Sequence, residues 1–149
     1  YFAILEYLKI RPKADESEIS IRLSIKKNEA KKALERLEEF QFIKLNKNKS
    51  WELLKFDNEW VCVSATNLAK KSIQKQMQAK SLSAIDQVSF QDRDHTSLTL
   101  ACNRELVPEI RKKIKKFRRS LDAWVEKQGQ RNDVYQLTVG FFPLTEKEK

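Results

Sequence analysis

Asp92, Asp94, His95, Thr96 and Ser97 stand within six residues and carry the groups of a hydrolase: carboxylates, an imidazole and two hydroxyls. A nucleophile and its base must meet in hydrogen-bond geometry beside donors for the developing oxyanion, and nearness in sequence supplies neither. No glycine-rich phosphate loop accompanies them, since the whole chain has only two glycines. We therefore expect Arg93 and Asp94 to fix a turn and the chain not to be an enzyme. His95 with Cys62 and Cys102 does not make a metal set at recognisable spacing, so neither metal nor other cofactor is expected. The two cysteines lie far apart and suggest no disulfide framework, which fits a reducing, cytoplasmic setting.

Charge is the stronger chemical signal. The 30 Lys and Arg outnumber 21 Asp and Glu, and a formal charge of +9 attracts polyanions, nucleic acid first. Residues 1–65 hold 13 basic and 11 acidic side chains, residues 66–149 hold 17 and 10, so the second half carries most of the field. Within the first half, Lys27, Asn28, Lys31 and Lys32 crowd one short stretch, and Lys47 and Lys49 follow in a polar turn. Amide and ammonium groups read base edges and meet phosphates, which makes these six residues the candidate DNA contacts. Residues 104–119 hold eight basic and two acidic side chains. There Arg111, Lys112, Lys115, Arg118 and Arg119 form a secondary basic face for phosphate or for an acidic protein partner, or else a plain solvated face.

These groups need elements to hold them. Phe2, Leu5 and Leu8 recur at helical spacing up to Pro12, which predicts a first helix; Asp15 or Ser17 caps a second, through Ile19, Ile21 and Leu23. A third follows from Lys26 to Phe40, with Ala30, Ala33, Leu34, Leu37 and Phe40 as its apolar stripe and the lysines outside it. The runs Phe42–Leu45 and Trp51–Leu54 flank Asn46–Ser50 as a hairpin, and Glu59–Val63 reads as another strand. Three helices and a hairpin are the order of a winged helix-turn-helix, whose third helix enters the major groove by its N-terminal residues. Glu35, Glu38 and Glu39 would repel DNA, so only the first two turns are expected to approach it.

The remainder reads α, β, α, β. A linking helix from Thr66 to about Gln87 carries Leu68, Ile73, Met77, Leu82 and Ile85, with a break possible near Ser81. Residues 96–102 alternate as a strand, and Asn103 then caps a helix with the stripe Leu106, Ile110, Ile114, Phe117, Leu121, Trp124 and Val125, ending before Gly129. Val134 to Phe142 makes a last strand closed by Pro143. The expected class is α+β: a winged helix at 1–65, then a linking helix and a β-α-β module at 66–149 that pairs subunits or receives a signal.

Arg93 and Asp94 before Ser97–Leu100, the helix through Ile110, Ile114, Phe117 and Arg118, then Asp133–Leu137 and Phe142–Thr145 resemble a bacterial paralogous family expanded in predatory and fibre-degrading bacteria. Ile25, Glu29, Ala30, Ala33, Leu34 and Leu37 fit the same pattern, so the likeness covers nearly the whole chain. Lys26 departs from it, standing where a Ser or Thr opens the third helix. The resemblance implies transcriptional regulation, with a C-terminal domain of unknown function and no catalytic residues to carry over. It also implies a further N-terminal region, which agrees with Tyr1 in place of Met and leads us to expect a fragment.

The expected function is thus a DNA-binding transcriptional regulator. The alternative is a protein-interaction scaffold whose winged helix does not touch DNA. Homodimerisation through residues 66–149 is expected because two strands alone leave edges and an apolar face open. No membrane partner is expected, since the apolar start is interrupted by Glu6 and Lys9 and is too short to span a bilayer.

Overall fold

The computed structural model describes residues 1–54 and 67–146. Helices α1 (Phe2–Ile10), α2 (Glu16–Leu23) and α3 (Lys27–Glu39) precede an antiparallel hairpin of β1 (Ile43–Leu45) and β2 (Trp51–Leu53). Then come α4 (Asn67–Gln87), a 3-10 turn at Arg104–Leu106 and α5 (Val107–Glu126), so the described chain is α+β.

Helix ends follow from local chemistry. Pro12 disfavours helical backbone at the residue before it, and Arg11 turns extended at φ −128 and ψ 78. The Asp15 carboxylate accepts the Ser17 and Glu18 N–H groups at 2.9 and 2.8 Å, satisfying two donors that α2 leaves open. Asp15→Ala is therefore expected to cost about 1 kcal/mol, read as a lower urea midpoint at unchanged slope; an unaltered midpoint would show that the cap is dispensable. After α2, Ser24 adopts the left-handed region at φ 50, letting the Ile25 N–H bond back to the Ser20 carbonyl at 3.1 Å. Only residues 24–26 separate α2 from α3. Lysine has no acceptor with which to cap α3, and instead the Glu29 carboxylate accepts the Lys26 N–H at 3.2 Å.

One core unites these elements. Ile4, Leu5, Tyr7 and Leu8 of α1 meet Ile19 of α2, the stripe Ala30, Ala33, Leu34 and Leu37 of α3, and Ile43 of β1. The Tyr7 hydroxyl donates to Glu18 at 2.8 Å and Arg11 donates to the same oxygen at 3.1 Å, locking α1 to α2. Burial, then the bond to Glu18, holds the phenol above its usual pKa; the Tyr7 bond, then Arg11, holds the Glu18 carboxyl below its own. Trp51 ties the hairpin to the α1–α2 connection, its backbone N–H reaching the Pro12 carbonyl at 2.6 Å and its indole N–H the Ala14 carbonyl at 3.2 Å.

The described contacts divide the chain into two units, Tyr1–Val88 with Asn132–Lys149, and Ser89–Arg131. The boundary expected between 65 and 66 lies outside the described residues, as do the strand expected at Glu59–Val63 and Cys62. In the first unit α4 runs unbroken through Ser81, serine being only mildly unfavourable inside a helix. The tail returns to α2: Arg22 pairs with Asp133 at 2.9 Å, and Val134 packs against the core.

The expected β-α-β module is not formed. Residues 96–102 and 134–142 carry no ladder, and the only sheet among the described residues is the β1–β2 hairpin. Alternating side chains make a strand only when a neighbouring edge takes up its N–H and carbonyl groups, and the two segments fall in different units. The stripe of α5 also departs from expectation, because nothing on that helix is buried.

Candidate nucleic-acid interface

Helix α3 spends its apolar stripe on the core and turns the rest to solvent. Lys27, Asn28, Lys31 and Lys32 are all exposed. At about 100° per residue, Asn28, Lys31, Lys32, Glu35 and Glu39 share the side away from the core, with Lys27 on its flank. Lys27 lies 3.8 Å from Glu16, and Lys31 lies 4.0 Å from Glu35 one turn on, both loose pairs at exposed positions. The charge order is basic at the start and acidic at Glu35, Glu38 and Glu39. That order opposes the helix dipole, which favours acids at the N-terminus and bases at the C-terminus. Glu29 in the first turn and Arg36 in the last offset part of that opposition.

Glu38 also braces the hairpin, because its carboxylate accepts the Leu45 N–H at 3.4 Å, and beside it the Phe42 N–H bonds to the Leu37 carbonyl at 2.8 Å. The hairpin is thus rooted at the acidic end of α3, leaving the first two turns open. At the hairpin tip Asn46 accepts from the Asn48 and Ser50 N–H groups at 3.1 and 2.9 Å, and Lys49 sits at φ 54. This side-chain-braced turn holds Lys47 and Lys49 exposed on the same body as α3.

The secondary face lies on α5, in the other unit. Arg111, Lys112, Lys115, Arg118 and Arg119 are exposed, and Lys112 pairs with Glu109 at 3.1 Å. Helical geometry regroups them. Lys112, Lys115, Lys116 and Arg119, with Ser120, line one open concavity, whereas Arg111 and Arg118 flank the apolar stripe. Lys116 was hidden in the run of basic residues; spacing of three and four along the helix identifies it.

Of the hydrolase-like cluster only Asp92 lies in a turn, at residues 90–92, one step before the expected Arg93 and Asp94; residues 93–97 follow without regular structure. The Ser89 hydroxyl donates to Asp92 at 2.7 Å, and the Arg93 guanidinium stands 5.8 Å from the centre of the Phe90 ring. Among the described residues no three His, Cys, Asp or Glu side chains are grouped to hold a metal, and Cys102 is exposed and unbridged. No helix among them is long and apolar enough to cross a membrane.

A protein-family model described as a domain of unknown function (DUF4423) matches residues 1–144. No curated protein and no solved structure matches the chain.

Proposed function

The chain belongs to the DUF4423 family, and we propose that it is a DNA-binding transcriptional regulator which reads duplex DNA through a winged helix formed by α1–α3 and the β1–β2 hairpin. The observation that carries this reading is the exposed basic and amide cluster on the first two turns of α3, on the side of the helix away from its packed stripe. In this reading α2 and its three-residue turn brace α3, Asn28 approaches base edges, and Lys27, Lys31, Lys32, Lys47 and Lys49 neutralise the phosphates beside it. The acidic end of α3 stays out of the groove.

A protein-interaction scaffold is the second reading, favoured by Glu35, Glu38 and Glu39 and by the uncovered stripe of α5. Fluorescence titration of the full chain against random genomic duplex at low and physiological salt separates the two. Phosphate contacts release counterions, so DNA binding is expected and must weaken steeply as salt rises. No binding at low salt, or binding indifferent to salt, overturns the DNA reading.

A further inference from the structure

The 43 residues 89–131 contain no buried side chain, although α5 carries a continuous apolar stripe. Leu106, in the 3-10 turn before it, is 51% exposed, Phe117 57%, Trp124 60% and Val125 46%, while Val107, Ile110, Ile114 and Leu121 are half-buried. Exposed apolar patches that exceed a few hundred Å² mark interaction surfaces, and a segment this short seldom builds a sufficient core alone. The question is what covers the stripe.

Its spacing answers. From Leu106 through Val107, Ile110, Ile114, Phe117, Leu121 and Trp124 to Val125 the intervals are 1, 3, 4, 3, 4, 3 and 1, which read the same from either end. Two such helices laid antiparallel about a two-fold axis therefore match large apolar residues at every layer: Leu106 with Val125, Val107 with Trp124, Ile110 with Leu121, and Ile114 with Phe117. We infer that α5 is a homodimerisation helix, its apolar stripe covered by the same stripe of a second copy.

Charge and area agree with this occupant. Lys112, Lys115, Lys116 and Arg119 lie on the side of α5 opposite the stripe, so self-pairing leaves both basic faces in water. Arg111, Arg118 and Asp122 lie on one flank, and the antiparallel register brings Arg111 equally near Asp122 and Arg118 of the second copy, so this flank is neutral toward pairing. The stripe offers on the order of 600 Å² per copy, about 1,200 Å² for the pair, which reaches the lower edge of a specific interface. The sequence led us to expect pairing within residues 66–149; the stripe narrows the contact to α5. Self-pairing of α5 does not depend on whether the chain binds DNA.

Sedimentation of the full chain at micromolar concentration tests it. A dimer mass is expected, with Ile114→Glu and Phe117→Glu each reducing it to monomer while Lys115→Gln with Arg119→Gln leaves it unchanged. A monomer at every concentration, or a dimer indifferent to both stripe variants, overturns the inference. A second measurement does not depend on those variants folding well. In a chain with Cys62→Ser and Cys102→Ser, the pair Ile114→Cys and Phe117→Cys is expected to oxidise to a covalent dimer on a non-reducing gel. Equal cross-linking by cysteines placed instead at Lys112 and Arg119, in the same layer but on the opposite face, would refute pairing through the stripe.

Discussion

Replacing Lys31 and Lys32 together by Gln is expected to weaken duplex binding roughly 30-fold at about 0.15 M salt and to lower the log–log salt slope by about 1.8, one counterion-release increment per lysine. Both side chains are exposed on the open turns of α3, so the substitution removes charge without removing core. Lys31 gives up only a loose pair with Glu35, and surface pairs of this kind contribute about 0–1 kcal/mol. Both lysines lie beyond the first turn of α3, where the helix dipole has little hold on them. The melting curve should therefore stay close to that of the parent chain while binding falls. Anisotropy titrations at several salt concentrations measure both quantities. An unchanged affinity and slope would remove α3 as the reading element, even if the chain bound DNA by other residues.

Ile19→Ala is expected to destabilise the three-helix body by about 2–5 kcal/mol, through lost apolar burial and the cavity left behind. Ile19 is fully buried and is the only buried residue of α2. Nothing else on that helix is positioned to take its place. Domain stabilities run about 5–15 kcal/mol, so this one truncation consumes a large part of the total. Ile21, on the same helix but 78% exposed, supplies the contrast: Ile21→Ala should stay within about 0.5 kcal/mol. Amide exchange in α1–α3 reads this body separately from residues 89–131, and equal effects of the two substitutions would contradict the packing described above.

The N-terminal body was legible because its information is local. The stripe Ala30, Ala33, Leu34 and Leu37, the Asp15 cap and the hairpin turn each depend on residues a few positions apart and lie where the pattern places them, whereas Phe40, expected on the same stripe, falls at the end of α3 and is 67% exposed. Alternation at 96–102 and 134–142 is the opposite case. It states which side chains would share a face, but a ladder depends on whether another edge arrives, and no residue within the segment decides that. The α5 stripe shows the same division: period and boundaries are written in the chain, whereas burial requires a partner surface. For the candidate interface, residue types pointed to Lys27, Asn28, Lys31 and Lys32, and geometry added that the hairpin is rooted at the far end of α3. On α5, reading a basic run as a run concealed that Lys116 shares a face with Lys112 and Arg119 while Arg111 and Arg118 do not.

The salt bridge between Arg22 and Asp133 spans 111 positions, and Val134 beside it completes the packing of a body whose other members lie within residues 1–54. During synthesis those early helices emerge with their mutual contacts close in sequence and can collapse at once. The last apolar contribution reaches them only after the ribosome has passed residue 134, so α2 stays with Arg22 unpaired from Asp133 and the Val134 seat empty until that segment has been made. Closing so long a loop costs little more than closing one half its length. The delay is therefore set by elongation, and a chain stalled before Val134 would leave the earlier-made body without this piece.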